Sequence, residues 1–289
     1  MTQKLLVAGA SGQLGTLVIE HLKTLVPAAN IVALVRSEDA AARYAADGIE
    51  TRKGDYTDRA SLDAAFQGID RLLLISSSAV GERVAQHQNV IDAAKAAGVG
   101  FVAYTSILNA DSSKMILAGE HQATEAMLAE SGLPHALLRN GWYSENLLGG
   151  IGGDLAMGQH FGAAGEGKFS TATRQDLAEA AAVVLAGGDH AGKAYELAGD
   201  DAFTLAELAA TIADASGKPV AYVDMPQDAF TQALVGAGLP EGFAAVLADS
   251  DAQAATGALY STSKALSTLI GRPTTPIADS VKTALSTLA

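Results

Sequence analysis

The residues with the clearest chemical capacity lie near the amino terminus, at Gly9-Ala10-Ser11-Gly12-Gln13-Leu14-Gly15. They follow a short apolar run and open an amphipathic stretch, the strand–turn–helix context in which glycines hold a pyrophosphate. Gly9 permits a tight turn, Gly12 lets main-chain N–H groups approach an anion, and Gly15 lets the helix lie close to the strand. The helix amino end adds partial positive charge. Gly9, Ser11, Gly12, Gln13 and Leu14 are the expected cofactor contacts. The spacing is G-x-x-G-x-x-G, not the commoner G-x-G-x-x-G. At the end of the second apolar run stands Val35-Arg36-Ser37, where NAD-binding domains usually carry an acidic residue for the ribose 2′-hydroxyl. A guanidinium is a bidentate partner for a 2′-phosphate, so Arg36 points to NADP(H). Asp55 and Tyr56 end the third run, and Ser76, Ser77 and Ser78 the fourth. There an Asp can accept from an adenine amino group and hydroxyls can flank a nicotinamide ribose. A capping or turn role accounts for these residues equally well.

Such residues need a scaffold that brings strand ends to one edge. Apolar runs at Lys4–Ala8, Ile31–Val35, Ile49–Arg52, Arg71–Ile75, Phe101–Tyr104 and His135–Leu138 alternate with helical stretches at Gln13–Leu25, Asp39–Ala46, Ser61–Phe66, Val84–Ala97 and Glu120–Glu130. This is the rhythm of βαβ units, and it predicts an α/β, Rossmann-like, doubly wound parallel sheet. After Arg139 the rhythm breaks. Residues 140–167 are glycine-rich and read as loops. A helix at Asp176–Ala186 and a strand at Ala194–Leu197 follow. The tail then reads as helices Thr204–Ser216, Gln227–Ala237, Glu241–Asp249, Ser263–Ile270 and Ala278–Leu288. A strand at Pro219–Val223 could pair with Ala194–Leu197. The expected division is an NADP(H)-binding domain over 1–140, with 168–188 a candidate to pack on it. Residues 141–289 form a smaller, mixed, mostly helical substrate-binding lobe.

Composition excludes much else. The chain has 289 residues, 19 Lys plus Arg against 32 Asp plus Glu (net −13), and no cysteine. Without cysteine there are no disulfides, thiolate metal sites, iron–sulfur clusters or thiol nucleophiles. An acidic chain lacking a basic run is a poor partner for nucleic acid or an anionic membrane. His87, His135, His160 and His190 show no metal-ligand spacing with carboxylates, so no metal is expected. The amino-terminal apolar run is too short for a signal peptide, and nothing approaches a membrane span, so a cytoplasmic location is expected. A homodimer is compatible with the sequence.

With its glycine turn on the first strand of a βαβ pattern, the sequence resembles the short-chain dehydrogenase/reductases. That resemblance implies a Tyr-x-x-x-Lys pair after the fifth strand that protonates a ketone substrate, the lysine lowering the phenol pKa. Only Tyr260-Ser261-Thr262-Ser263-Lys264 fits that spacing, deep in the carboxyl-terminal region, where it reads better as a cap opening a helix. After Thr105-Ser106, where the pair belongs, His121-Gln122-Ala123-Thr124-Glu125 stands instead. A quinone becomes a weakly basic aromatic anion on hydride addition and needs no strong acid. The departure therefore suits quinones or cationic dyes better than simple alcohols.

With the glycine turn, Arg36, Gly54-Asp55-Tyr56, Leu73–Ser78, Ala103–Ser106, Leu137–Asn146 and Leu247–Asp251, the sequence resembles the NmrA-like branch of atypical short-chain dehydrogenase/reductases. Within it the likeness is greatest to quinone-reducing members, with triphenylmethane dye reductases next. The resemblance implies an NADPH-binding domain, a small carboxyl-terminal lobe and a quinone or dye acceptor in the cleft between them. Thr105 joins the expected cofactor contacts. His121, Asn140 and Tyr143 become candidates for catalysis, with Trp142, Tyr143 and Asn146 against the acceptor. Trp142 or Tyr143 could stack on its ring, and Asn140, Asn146 or His121 could donate to its oxygen. A turn at Asn140-Gly141 and an apolar plug of Trp142 and Tyr143 is the plainer alternative. Some relatives bind NAD(P) without turnover and act as redox sensors, which leaves a non-catalytic role open.

Overall fold

The computed structural model describes residues 3–288. Met1 and Thr2, part of the amino-terminal segment read above, and Ala289 lie outside them. Six strands, β1 (Leu5–Ala8), β2 (Ile31–Val35), β3 (Glu50–Lys53), β4 (Arg71–Leu74), β5 (Phe101–Ile107) and β6 (His135–Asn140), alternate with α1 (Gln13–Leu25), α2 (Glu38–Ala46), α3 (Arg59–Ala65), α4 (Arg83–Ala96) and α5 (Ala118–Ser131). Then come α6 (Ser144–Leu148), α7 (Ile151–Met157), β7 (Gln159–Gly162), β8 (Lys168–Phe169), α8 (Arg174–Ala186), β9 (Ala194–Leu197) and β10 (Phe203–Thr204). The chain ends with α9 (Leu205–Ser216), β11 (Ala221–Asp224), α10 (Gln227–Gly236), α11 (Glu241–Ala254), α12 (Ala265–Ile270) and α13 (Ile277–Ser286).

The chain groups into two compact units. One comprises the chain up to Ile107, Glu120–Asn140 and Arg174–Tyr195; the other comprises Leu108–Gly119, Gly141–Thr173 and the chain from Glu196. The first carries a sheet ordered β3-β2-β1-β4-β5-β6-β9, with parallel pairing from β3 through β6. The Leu137 N–H donates to the Lys193 carbonyl and the Gly141 N–H to that of Leu197. The two numbers rise together, so β9 also runs parallel. It completes the main sheet as a seventh strand and does not pair with the strand predicted at Pro219–Val223.

Strand periodicity divides the core. Even-numbered residues Leu6, Ala8, Val32, Leu34, Leu72, Leu74, Val102 and Tyr104 join one buried cluster with Leu62, Phe66, Val90, Ile91 and Leu128 of the α3–α5 layer. Odd-numbered neighbours such as Leu5, Val7, Ile31, Ala33 and Leu73 face the other way and are equally buried. That second face is covered by α1, whose buried Leu14, Val18, Ile19 and Leu22 form one stripe, and by alanine-rich α8, which lies against α1. Both sheet faces are dry, so the main chain can meet a ligand only at strand ends.

The glycine-rich stretch 140–167 is not loop, as expected from its composition, but contains α6, α7 and β7. Strand β11 pairs in parallel with β7, from Ala221 opposite Gln159 to Asp224 opposite Gly162. The second unit adds the antiparallel pair β8–β10 and helix α9, which opens on a capping box of Thr204 and Glu207. Among the described residues no helix is long and apolar enough to cross a membrane.

Arg71 ties the sheet to α8. Its Nε donates to the Leu185 carbonyl at 2.8 Å and its Nη2 to that of Val184 at 3.0 Å, while the guanidinium lies 4.0 Å from the centre of the Phe101 ring. A cation at a helix carboxyl end satisfies orphan carbonyls and complements the dipole. Arg71→Met is expected to lower the free energy of unfolding by about 1.5–3 kcal/mol, read as a lower urea midpoint at unchanged slope. An unchanged midpoint would show that water replaces the guanidinium at no cost.

Candidate cofactor and active site

The carboxyl ends of β1 to β5 share one edge, because Ala8 pairs with Leu74, Leu74 with Tyr104 and Val35 with Lys53. Gly9, Arg36, Asp55, Ser76 and Thr105 therefore stand side by side. The strand order reverses between β1 and β4, the position at which open parallel sheets bind ligands.

The turn after β1 is shaped for close main-chain approach. Gly9 has φ +74°, a left-handed conformation that glycine adopts without strain. A Cβ on Gly15 would lie 2.3 Å from the Gly9 carbonyl oxygen, so any side chain there would push α1 off the strand. Gly12 caps α1 without a side-chain hydrogen bond, and Ser11, Gly12 and Gln13 are exposed while Leu14 is buried. The helix amino end is thus open to an anion. The Tyr44 hydroxyl on α2 donates to the Ala10 carbonyl at 2.6 Å and bolts the back of the turn. Arg43 donates to that phenol oxygen at 3.0 Å and lies over its ring. This fastening, absent from the sequence-based site, has a weak signal: Tyr44 is the one large apolar residue on α2.

Arg36 is exposed, with its guanidinium 4.0 Å from the Asp55 carboxylate. An ion pair this exposed contributes little and leaves the guanidinium available. Asp55 Oδ1 accepts from the Thr57 N–H at 2.9 Å and its hydroxyl at 2.8 Å, a turn-holding role that keeps the carboxyl below its usual range. Tyr56 turns inward and donates to the Ile75 carbonyl at 2.9 Å. At the β4 exit, the Ser76 N–H donates to Thr105 Oγ1 at 2.8 Å and the Ser77 N–H to His87 Nε2 at 3.0 Å; Ser78 is exposed. Thr105 therefore reaches the site through Ser76. The edge fits a dinucleotide: it has a glycine cradle that excludes side chains, an uncapped helix end and an exposed cation.

Asn140, His121 and their surroundings lie in the first unit. Asn140 is buried at the end of β6, opposite Ile107. His121 is buried and its Nδ1 lies 2.7 Å from the Tyr104 hydroxyl. Burial and the nearby Arg83 lower its pKa to about 3, so the ring is neutral near pH 7. Burial raises the Tyr104 phenol, which keeps its proton and donates it to Nδ1. His121 can offer a hydrogen bond from Nε2–H but carries no surplus proton. Glu125, in the place of the usual lysine, holds Arg139 at 2.8 Å and accepts from Ser106 Oγ at 2.5 Å, both partners buried. The cations nearby, Arg139 and Arg83, are matched by Glu125 and Glu120.

Trp142, Tyr143 and Asn146 belong to the second unit. Trp142 and Tyr143 are half-buried, Asn146 is exposed, and the segment is laid down against Thr171–Thr173. The Ala172 N–H donates to the Trp142 carbonyl at 3.1 Å and the Ser144 N–H to that of Ala172 at 3.0 Å. A Cβ on Gly141 would sit 3.0 Å from the Leu197 carbonyl oxygen, which explains the glycine. In the same unit Lys264 Nζ donates to the Asp200 carbonyl at 2.7 Å, with the carboxylate 3.2 Å away, and Ser263 Oγ accepts from the Ala265 N–H. The Tyr260–Lys264 spacing is thus absorbed by a loop anchor and the start of α12. Among the described residues no group of three or more potential ligands gathers around a metal site.

A parallel sheet whose first strand passes through a glycine cradle into an open helix end defines a dinucleotide-binding α/β protein. The chain belongs to the NmrA-like family, whose profile matches residues 1–273. It is 55% identical over 275 residues to quinone oxidoreductase 2 of Escherichia coli strain K12, covering 95% of this chain and 96% of that one. The crystal structure of an NADPH-dependent quinone oxidoreductase from E. coli, in complex with NADPH, matches with a TM-score of 0.95 at 54% identity, over 97% of this chain and 99% of that one. The Citrobacter triphenylmethane reductase complexed with NADP(H) matches at 0.93 and 38%, over 96% and 99%.

Two predictions follow from the geometry. Gly15→Ala should abolish measurable NADPH binding, because the new Cβ cannot coexist with the Gly9 carbonyl; binding within about twofold of wild type would refute the close contact. Stability should also fall on acidification. His87 (lowered to about 4) and His121 (lowered to about 3) bind their protons more readily unfolded, so each costs up to about 1.4 kcal/mol per pH unit below pH 6.5. Asp251, buried and raised to about 6, works the opposite way below that pH and offsets one of the two. The urea midpoint should therefore fall at a nearly constant slope from pH 6.5 towards 4, at roughly the rate of one uncompensated histidine. His121→Gln should flatten the curve throughout.

Proposed function

We propose that this protein is an NADPH-dependent quinone reductase, working by direct hydride transfer without flavin or metal. The observation that carries the reading is Glu125, fixed by Arg139 where a lysine would otherwise activate an acid. Reduction of a ketone lacks its proton source there; reduction of a quinone does not need one of that strength. The 55%-identical relative is named a quinone oxidoreductase, in agreement with this chemistry.

The bound nucleotide supplies the hydride at nicotinamide C4. Main-chain N–H groups from Ser11 to Leu14 hold its pyrophosphate with the dipole of α1, and Arg36 reads the 2′-phosphate. Ser76–Ser78 flank the nicotinamide end, with Thr105 holding the Ser76 N–H behind them. Within the first unit, Asn140 or the His121 Nε2–H can hydrogen-bond a quinone oxygen; Trp142, Tyr143 and Asn146 are acceptor candidates by residue type, as aromatic faces and an amide. Catalysis is then proximity and orientation. The reading places the enzyme in the cytoplasm, where NADPH is regenerated. Cationic dyes form a second acceptor class, favoured by the likeness to a triphenylmethane reductase.

NADPH oxidation should be followed with benzoquinone, naphthoquinones and malachite green, with NADH as control. Turnover with at least one quinone is expected. Tight NADPH binding without any turnover would replace the enzyme by a redox sensor. Arg36→Ala should raise KM for NADPH about tenfold or more and leave that for NADH within about twofold. Equal changes for both would remove Arg36 from 2′-phosphate recognition.

A further inference from the structure

The exit of β4 is the stretch of main chain most closely held by side chains at the cofactor edge. Tyr56 donates to the Ile75 carbonyl, Thr105 Oγ1 accepts from the Ser76 N–H, His87 Nε2 accepts from the Ser77 N–H, and Arg83 Nε donates to the Ser77 carbonyl. This strip adjoins the glycine turn: a Cβ on Gly9 would lie 3.4 Å from that of Ile75. A shift of Ile75–Ser77 would move the floor beside the turn.

His87 stands at the centre. A main-chain N–H can only donate, so Nε2 accepts and the ring proton resides on Nδ1. Nδ1–H then donates to Thr124 Oγ1 at 2.9 Å, whose own hydroxyl donates to the Glu120 carbonyl at 2.8 Å. The direction of every bond is fixed, from the backbone of the β4 exit to the backbone of α5. The ring is fully buried, edge-on to Tyr104 at 5.5 Å and to Tyr56 at 6.3 Å. Burial and the Arg83 charge keep it neutral near pH 7. Both nitrogens are engaged, so the ring is built for holding and not for proton transfer.

We propose that His87 is a positioning residue which fixes the main chain at Ser77 and, through it, the nicotinamide end of bound NADPH, given that Ser76–Ser78 flank that end as proposed above. A neutral hydrogen bond to a main chain with little slack is worth about a factor of ten, and misplacing a reacting group costs at least as much.

The test compares NADPH with adenosine 2′,5′-bisphosphate, which carries only the adenine half, by calorimetry on the full chain. His87→Leu should weaken NADPH about tenfold and leave the bisphosphate within about twofold; His87→Gln, whose amide oxygen can accept from Ser77 and whose NH₂ can donate to Thr124, should recover most of the loss. Equal weakening of both ligands, or none of either, would overturn the proposal. Should His87→Leu fail to fold, Thr124→Val decides: it removes the acceptor that fixes the Nδ1–H tautomer and should weaken NADPH selectively by about threefold, whereas equal affinities for both ligands relative to wild type would overturn the assignment. Absence of quinone turnover by the wild-type protein would sink the enzymatic reading while the two binding constants still judge His87.

Discussion

The cofactor edge depends on the approach of Gly15 to the carbonyl of Gly9. The two come so near that a Cβ would stand 2.3 Å from that oxygen. The contact sets how α1 leaves the strand, and therefore where its uncapped amino end points. A helix end presents several N–H groups with no internal partner, and an anion satisfies them at low cost. Everything else at the edge is arranged around that fixed point. Tyr44 holds the carbonyl of Ala10 behind the turn, and Ile75 packs against Gly9 beside it. The acidic chain thus builds a local anion site without clustered lysines.

Polar side chains buried in the α4–α5 layer follow from the same geometry. A doubly covered parallel sheet leaves main-chain groups unpaired only where strands end. At the β4 exit those groups meet His87, Thr105, Tyr56 and Arg83, each of which must then be satisfied on its far side. His87 passes to Thr124, Tyr104 to His121, and Ser106 to Glu125 and Arg139. Ion pairs this deep carry a desolvation penalty that offsets much of their attraction, so a large gain in stability is not their purpose. What they achieve is a single arrangement of the strand ends.

Most of the first unit was legible because its signals are local. The apolar run Leu5–Ala8, the glycine turn and the stripe Leu14–Val18–Ile19–Leu22 each declare themselves within a dozen residues. In the stretch 140–167 the glycines mimic a loop while the chain is helical: Gly149 and Gly150 separate α6 from α7, and Gly152 and Gly153 lie inside α7. Pairing was less legible still. Parallel strands meet across long crossovers, and no periodicity says that Ala221–Asp224 chooses Gln159–Gly162 over Ala194–Leu197. His87 carries no local signal of its role, since its spacing to other residues says nothing of what it holds. Its partners stand ten residues before it and 37 after, a separation that only the fold closes.

The missing tyrosine acid and the richness of the buried network are two sides of one arrangement. In a ketone reductase the residues after β5 must include a phenol poised near neutral pH, which requires a nearby cation and access to substrate. Here the phenol on β5, Tyr104, is fully buried and donates to a neutral imidazole, and the nearby cations Arg139 and Arg83 lie beside Glu125 and Glu120. Such groups cannot exchange protons with a substrate without leaving a buried partner unsatisfied, at about 1–3 kcal/mol each. They can, however, resist displacement. An acceptor whose reduced form is a weak base asks only that donor and ring be held within van der Waals reach in a fixed orientation. A layer of buried side chains bonded to one another and to the strand ends meets that demand, and it excludes chemistry that needs a strong acid at the same place.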